Sequence, residues 1–306
     1  MTGAIWLASC YPYPGRSTAM THPAGHPQAR KAAVYTVEET LKIVVLVKHV
    51  PDAQFDRHLS GEGNTTDRDE SILSELDEYA LEAALQLAEA RGGAKAGNKV
   101  IALSMGPAGA VNSIKKSLQI GATEGVHLTD AALAGSDAAA TSLALAAAVR
   151  HLGADTPVDL VLTGMASTDG ETSLVPAQLA ERLGLPQVTF ASSLDVAGGR
   201  VTARRDADTH SETVEASLPA VVSVTDQINE PRYPNFKGII AAKRKSITTL
   251  SLADIGVDSS QVGHAGSWTR VTAAEERPPR TAGTIITDEG DAGIKLVDFL
   301  AAQKLL

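Results

Sequence analysis

The chain has a single cysteine, few aromatic residues and more acidic than basic side chains. Cys10 stands alone among 306 residues, which excludes intrachain disulfides and any multi-cysteine zinc site. Aromatic residues make up 4%, too few for a self-contained aromatic cofactor pocket. The formal net charge of -9 leaves no basic footprint for nucleic acid, and no apolar run is long enough to span a membrane. We therefore expect a globular protein that neither binds nucleic acid nor is embedded in a membrane.

Residues 1–41 differ in composition from the rest of the chain. They are rich in Pro, Gly, His, Thr and Ala and show no hydrophobic period. The apolar run Ala4–Ala8 is short and no basic residue precedes it, so we expect no secretory signal and a cytoplasmic protein. The segment is either a flexible extension or the result of a start codon placed too early, with the true start near Leu41. We expect that residues 1–40 can be deleted without loss of assembly.

From residue 41 onward, short apolar runs alternate with stretches of helical spacing. The apolar runs are β-branched along their length, which is typical of strands buried on both faces of a parallel sheet. Strand–helix alternation repeated four times predicts a Rossmann-like open, mostly parallel sheet with helices on both faces. The predicted strands are Leu41–Val47, Lys99–Ser104, Gly125–Leu128 and Val158–Leu162, and the predicted helices begin near Asp77, Ala108, Asp137 and Val175.

After Pro186 the pattern changes to four short strands joined by turns. We expect them to extend the sheet with antiparallel members. The residues between Ala53 and Ser71 are mostly polar and predict either a hairpin or an exposed loop. The four predicted strands are Gln187–Ala191, Arg200–Arg204, Glu212–Ala216 and Ala220–Val224.

The C-terminal tail shows no hydrophobic core of its own. From about Ser246 it contains the run Pro278–Gly283 and ends in a predicted helix, Ala292–Leu305. A long segment that packs poorly on itself is more simply an arm laid on a partner than a domain. We therefore divide the chain into an extension (1–41), a nucleotide-binding α/β domain (42–245) and a C-terminal arm (246–306).

The most informative stretch for function is the loop between the strand at Val158 and the helix that runs to Leu183. Every residue of this 165–174 loop between Met165 and Leu174 is small or polar, and Pro176 suits the first helical turn that follows. Free backbone N–H groups at that helix N-terminus suit an anion, most often a phosphate. Parallel α/β proteins contain several such joints and most bind nothing, and the Gly-Lys-Ser/Thr ending of a Walker loop is absent.

A second stretch, residues 229–245, combines a turn, an apolar residue and basic residues. Asn229–Pro234 predicts a turn, Phe236 follows on a polar loop, and a basic helix is expected after it. The basic run Lys243–Lys245 is either a solvated face or part of a surface for transient docking to another protein.

On these residues the sequence closely resembles the beta subunit of electron transfer flavoprotein. The Asn-Glu-Pro-Arg-Tyr motif is the specific part of the match, which covers nearly everything after residue 41. The matching stretches are Leu41–Asp52, Asp77–Ala80, Ser104–Pro107, Val158–Leu185, Leu218–Val222, Asn229–Lys245 and Pro279–Gly283.

The resemblance implies a heterodimeric electron carrier without catalytic residues of its own. In this family an alpha subunit holds most of the FAD, and the beta subunit buries an AMP of structural importance. The carrier takes electrons from acyl-CoA-type dehydrogenases and passes them to a membrane-bound quinone oxidoreductase, while the flavin performs the redox chemistry. In bifurcating relatives a second FAD replaces the AMP.

The resemblance also implies which residues form each site. The docking loop for dehydrogenases falls on Tyr233, Phe236 and Lys237, with Phe236 as its apolar anchor. The AMP contacts fall on Leu46, Ser74, Glu75, Leu76, Asp77, Met105, Gly164, Met165, Ala166, Ser167, Thr168, Asp169, Gly170, Glu171, Thr172, Ser173, Leu174 and Val175.

The chain departs from the family pattern at both ends of this loop. Met165-Ala166 stands where members carry Lys or Arg with Gln, and Ser173–Pro176 stands where Gly-Gln-Val/Thr-Gly is common. Backbone N–H donors survive both substitutions.

Two other functions use related folds. An ATP pyrophosphatase needs a Ser-Gly-Gly-type loop after the first strand, which Lys48–Asp52 does not supply. A stand-alone nucleotide sensor of the universal-stress type would be complete near Leu185, without the docking loop or the tail.

Overall fold

The structure is a computed structural model that describes residues 40–55, 58–60, 64–275, 278, 283 and 285–306. The predicted N-terminal extension, apart from residues 40 and 41, and residues 279–282 of the matched Pro279–Gly283 run lie outside these residues, so the expectation about deleting residues 1–40 stays a prediction. Seven helices occur in the described part of the chain: α1 (Glu75–Glu89), α2 (Val111–Ile120), α3 (Ala138–Leu152), α4 (Val175–Leu183), α5 (Phe236–Ala242), α6 (Gly263–Gly266) and α7 (Ala292–Ala302). Its strands are β1 (Lys42–Leu46), β2 (His49–Pro51), β3 (Leu59–Ser60), β4 (Thr65–Thr66), β5 (Ser71–Leu73), β6 (Lys99–Met105), β7 (Glu124–Leu128), β8 (Leu160–Gly164), β9 (Gln187–Ala197), β10 (Arg200–Asp206), β11 (Ser211–Ser217), β12 (Ala220–Val224) and β13 (Ile247–Leu250).

Nine strands form one sheet in the order β11-β10-β9-β12-β8-β1-β6-β7-β13. Every neighbouring pair from β9 to β13 is parallel, whereas β10 runs antiparallel to both β9 and β11. The predicted Rossmann-like, mostly parallel sheet is confirmed. The polar segment after Ala53 was predicted to be either a hairpin or an exposed loop. Its short strands β3 and β4 pair antiparallel, as in a hairpin.

The prediction for the strands after Pro186 is wrong in one respect. Among these four strands only the pairings of β10 are antiparallel; β12 lies between β9 and β8 and is parallel to both. All five residues of β12 are buried, as expected of a strand in the middle of a doubly covered sheet. Spacing along the chain alone could not distinguish this inserted strand from the last strand of a meander.

Helices cover both faces of the sheet, and the alternation along β1 shows how the two cores divide. Ile43 and Val45 belong to the core beneath α1 and α2, whereas Val44 and Leu46 belong to the core beneath α3 and α4. Full burial of each such aliphatic side chain contributes roughly 1.5–3 kcal/mol, so these two layers hold the strand ends in fixed positions.

The first part of the predicted arm belongs to the α/β domain. β13 pairs with β7, and Leu250, Leu252 and Val262 are buried in the second core. The sequence did not predict this strand because its two apolar residues, Ile247 and Leu250, are three positions apart and show no strand alternation. Beyond it, α7 exposes apolar side chains along its length, including Ile294 and Val297.

Candidate functional site

The topology forms a crevice at the carboxyl ends of the central strands. From β1 the chain passes through α1 to β6 and β7 on one side, and then crosses to β8 on the other side of β1. Strand order therefore reverses at β1, and such a switch point is where open α/β sheets bind ligands. The crevice is bounded by the ends of β1, β6 and β8 and by the start of α1.

The structure brings the predicted contact residues from distant parts of the sequence to this one edge. Leu46, Met105 and Gly164 are the last residues of β1, β6 and β8. The first turn of α1 supplies the predicted residues from Ser74 to Asp77, and the 165–174 loop leads into α4 at Val175. The predicted set is therefore one spatial cluster, although its occupancy by AMP stays a prediction.

Asp77 and Gly164 meet where α1 approaches the end of β8. One carboxylate oxygen of Asp77 (Oδ2) accepts the Lys48 backbone N–H at 2.7 Å, and the Gly164 N–H also donates to this carboxylate. A Cβ atom on Gly164 would lie 2.7 Å from Asp77 Oδ1 and 2.8 Å from the Leu76 carbonyl oxygen, so only glycine fits without a shift. Burial raises the pKa of Asp77 to about 7, against the opposing effect of these N–H donors.

Two basic residues that the sequence did not single out hold the 165–174 loop through Asp169. Lys48 Nζ lies 2.7 Å from one oxygen of Asp169, and Arg68 Nη2 lies 2.6 Å from the other. The Asp169 side chain is only 4% exposed. Burial alone would raise the pKa of Asp169, but the two cations outweigh it and hold this pKa well below its usual range.

Lys48 and Arg68 also connect the loop to the rest of the crevice. The Lys48 ammonium contacts Ser167 Oγ at 3.2 Å, and the Arg68 guanidinium donates to the His49 carbonyl oxygen at 2.6 Å. Lys48 could have been found from sequence because it directly follows the first buried strand. Arg68 gave no such signal, since it lies in the polar hairpin segment and reaches the loop only in three dimensions.

The 165–174 loop is a tight turn with an unusual backbone. The Glu171 N–H donates to the Ser167 carbonyl oxygen at 2.9 Å, and Glu171 and Ser173 have positive φ values of 49° and 51°. Positive φ is uncommon for residues other than glycine, and such conformations concentrate at functional sites. Leu174 occupies the N-cap of α4 and makes no side-chain cap hydrogen bond, so no side chain of the N-cap satisfies the first N–H groups of α4.

Buried hydroxyl groups at the same edge also lack partners. In the described part of the chain, the hydroxyls of Ser74 and Ser104 are buried and make no hydrogen bond. Ser74 is the N-cap residue of α1, and Ser104 precedes Met105 at the end of β6. Leaving a buried hydroxyl unpaired costs about 1–3 kcal/mol, so a ligand that bonded these groups would be stabilised by them.

The histidines near the crevice are structural. His49 Nδ1 pairs with Ser113 Oγ at 2.8 Å, and burial, together with the Arg68 charge, lowers the pKa of His49. His127 Nε2 lies 3.2 Å from the Gly106 carbonyl oxygen and 3.1 Å from that of Pro107. The hydrogen bonds that His127 donates to these carbonyl oxygens stabilise the turn that follows Met105.

The second predicted site, residues 229–245, is called the docking segment below. Tyr233 and Phe236 are 88% and 78% exposed, and Lys237 is exposed beside them. Phe236 starts α5, and the Asn235 side chain caps this helix by accepting the Gly238 N–H at 2.8 Å.

The prediction of a basic helix in this segment is wrong. α5 ends at Ala242, before the basic run, in which Lys243 and Arg244 are exposed and Lys245 is half-buried. Its ammonium donates to the carbonyl oxygens of Leu118 at 2.9 Å and Ala122 at 2.6 Å, at the C-terminal end of α2. A lysine satisfies the free carbonyls of a helix end in this way, which no charge pattern along the sequence reveals.

Two kinds of feature are absent from the described residues. They contain no group of three or more His, Cys, Asp or Glu side chains placed to hold a metal ion. Nor do they include a helix with the length and apolar character needed to cross a membrane.

Comparison with known proteins assigns the family. A model of the electron transfer flavoprotein domain matches residues 64–255. The electron transfer flavoprotein subunit beta of Mycobacterium tuberculosis is 45% identical over 266 residues, which cover 86% of this chain and 99% of the relative. That of Megasphaera elsdenii is 35% identical, covering 87% of this chain and 100% of the relative. A caffeyl-CoA reductase-Etf complex subunit of Acetobacterium woodii is 33% identical, covering 81% of this chain and 92% of the relative. The chain therefore belongs to the electron transfer flavoprotein family, as a beta subunit.

Proposed function

We propose that this beta subunit binds AMP in the crevice and pairs with an alpha subunit that holds most of the FAD. The complex works as a cytoplasmic electron carrier between acyl-CoA-type dehydrogenases and a quinone oxidoreductase. Family membership supports the carrier role, and the single structural observation that supports the nucleotide is the buried Asp169 held between Lys48 and Arg68 at the switch point.

The residues present fit a nucleoside monophosphate. Lys48 and Arg68 place two positive charges beside the buried Asp169, whereas Glu75 and Glu171 are exposed to water, so N–H donors rather than net positive charge would hold an anion here. Backbone N–H groups of the 165–174 loop and of α4 would bind phosphate, and the unpaired Ser74 and Ser104 hydroxyls would bind polar atoms of the nucleotide. A second FAD contains the same AMP half, so the nucleotide must be identified directly.

The FAD supplies the redox chemistry when it is bound in the heterodimer. We propose that this chain contributes no catalytic residue and that its part is to fold around AMP, to bind the alpha subunit and to dock the electron donors. The exposed apolar side chains of α7, Ile294, Leu296, Val297 and Phe299, support an arm that packs on the alpha subunit. The arm follows a stretch of chain that packs on the α/β domain as far as Thr269, whose backbone N–H donates to the Asp137 carboxylate.

The docking segment is the proposed contact with the dehydrogenases. An aromatic side chain as exposed as Phe236 resembles an anchor that becomes buried in a partner's pocket. The Acetobacterium woodii relative is named as part of a caffeyl-CoA reductase complex, which supports partners that act on CoA esters.

Replacement of Phe236 tests this function. We expect Phe236→Ala to raise the KM of an acyl-CoA-type dehydrogenase for the carrier by about tenfold, because anchors of this kind contribute most of the docking energy. FAD content and heterodimer formation should not change. Leu59→Ala, which removes an exposed apolar side chain from the β3–β4 hairpin, is the matched control. Unchanged rates with several dehydrogenases would refute the docking role.

A further inference from the structure

Arg232 makes the densest ion-pair cluster in the described part of the chain. Its guanidinium binds Glu82 through Nε at 2.6 Å and Nη2 at 2.9 Å, and binds Glu89 through Nη1 at 2.6 Å and Nη2 at 2.9 Å. Both carboxylates belong to α1, two turns apart, so one guanidinium is held by two bidentate pairs. Burial would raise the pKa of Glu82, but its hydrogen bonds with Arg232 lower it, so Glu82 stays ionised although its side chain is only 5% exposed.

The docking segment has a second attachment to α1 close to the first. The Asn229 amide donates to the Tyr79 carbonyl oxygen at 3.0 Å. The segment between Asn229 and Arg232 therefore lies against a helix whose own apolar face is buried in the core beneath the sheet. Since α1 is fixed by that core, the segment begins from a rigid support.

The other end of the segment is fixed to α2. A Cβ atom on Gly238 would lie 2.4 Å from the Gln119 carbonyl oxygen, so only glycine allows α5 to approach α2 this closely. Seven residues later, Lys245 donates hydrogen bonds to the carbonyl oxygens at the C-terminal end of α2. Between the two attachments lie the exposed side chains of Tyr233 and Phe236, with Ile239 and Ile240 exposed on α5.

We infer that Arg232 is a positioning residue for docking: its double ion pair with Glu82 and Glu89 holds Phe236 in the geometry that a dehydrogenase binds. The inference rests on the proposed docking role of Phe236. A segment fixed at both ends loses little conformational entropy on binding, whereas a segment released from α1 has to be ordered by the partner. Arg232 itself is about one-third exposed and turned toward α1, so it acts through Phe236 rather than as the anchor.

A double-mutant cycle on the flavin-loaded heterodimer tests this inference. Arg232→Ala, Phe236→Ala and the double variant are compared through the KM and kcat of dehydrogenase-driven flavin reduction. We expect Arg232→Ala to raise the KM about tenfold with kcat nearly unchanged, and to add little when Phe236 is already alanine, because residues that act as a unit are non-additive. Arg232→Lys keeps the charge but cannot form two bidentate pairs, so its KM should lie between those of the wild type and Arg232→Ala.

Two further measurements separate positioning from loss of fold. Amide hydrogen exchange should become faster in residues 233–242 of Arg232→Ala but stay unchanged in β1 and β8. Arg200→Ala removes an exposed ion pair with Glu215 between the edge strands β10 and β11 and should leave KM and exchange unchanged.

The outcomes distinguish the inference from the function on which it rests. If Phe236→Ala leaves KM unchanged, the docking role is wrong and the inference fails with it. If Phe236→Ala raises KM but Arg232→Ala does not, or if their effects are additive, the docking role stands and the positioning role of Arg232 is overturned. A kcat loss without a KM change in Arg232→Ala would also overturn it.

Discussion

Asp77 and Gly164 are in contact across the crevice, one at the start of α1 and the other at the end of β8. The contact is so close that a Cβ atom on Gly164 would lie 2.7 Å from the Asp77 carboxylate. It joins α1 to β8 at the edge of the sheet where the proposed nucleotide site lies.

Gly164→Ala should destabilise the protein because neither the Asp77 carboxylate nor the Leu76 carbonyl can move away easily. We expect a loss of about 1–3 kcal/mol in the free energy of unfolding, typical of overpacking, and a lower nucleotide content. Thermal unfolding and nucleotide analysis of the purified complex measure both. Gly109→Ala is the control for unfolding, since a Cβ there would lie 3.5 Å from His49 Nε2, an ordinary contact distance. Equal unfolding temperatures for the two variants would contradict the close contact.

Asp77 should make the stability of the folded chain fall as pH rises. Its folded pKa of about 7 lies above the ordinary value of 3.8, so between these values the folded state binds more protons than the unfolded state. Stability should therefore decline toward pH 7 by up to about 1.4 kcal/mol per pH unit and level off above it. Asp77→Asn has no titrating carboxyl group at this position, so its stability should not show this decline. Urea unfolding of both proteins at pH 5, 6, 7 and 8 gives the comparison, and parallel profiles would show that Asp77 titrates normally.

Asp169→Asn should loosen the 165–174 loop, because Lys48 and Arg68 lose their common partner. We expect the free energy of unfolding at pH 7 to fall by about 1–3 kcal/mol. This is less than the cost of breaking a fully buried ion pair, because Lys48 is 39% exposed. The folded pKa of Asp169 is depressed, so its contribution is present above about pH 4 and is lost as pH falls below it. The wild type and variant should thus converge in acid.

An exposed carboxylate on the sheet provides the control for this experiment. Asp195→Asn on β9 removes a charge without a buried partner and should leave stability nearly unchanged. If Asp169→Asn behaves like Asp195→Asn at pH 7, the ion-pair cluster does not hold the loop.

The sequence predicts the sheet well because its signals are local. The strand at Leu41–Val47 and the helix after Asp137 follow from apolar runs, caps and spacing within one element, and both occur where expected. The position of β12 between β9 and β8 is a pairing between distant segments, and no local pattern encodes it.

For the candidate site too, local patterns were predictable from the sequence and contacts between distant segments were not. The 165–174 loop follows from its small residues after a buried strand, and the remaining proposed contacts came from family resemblance. The roles of Arg68 and Lys245 were not predictable, because each side chain crosses from a polar segment to an element more than 100 residues away. Arg232 was visible in the Asn-Glu-Pro-Arg-Tyr motif, but its two carboxylate partners on α1 required the structure.

Identification of the bound nucleotides tests the central proposal most directly. The chain would be co-expressed with its alpha-type partner, and the purified complex denatured so that released nucleotides can be quantified by mass spectrometry. We predict one FAD and one AMP per heterodimer. Two FAD per heterodimer, or no stable partner and ATP alone, would contradict the proposed AMP-containing carrier.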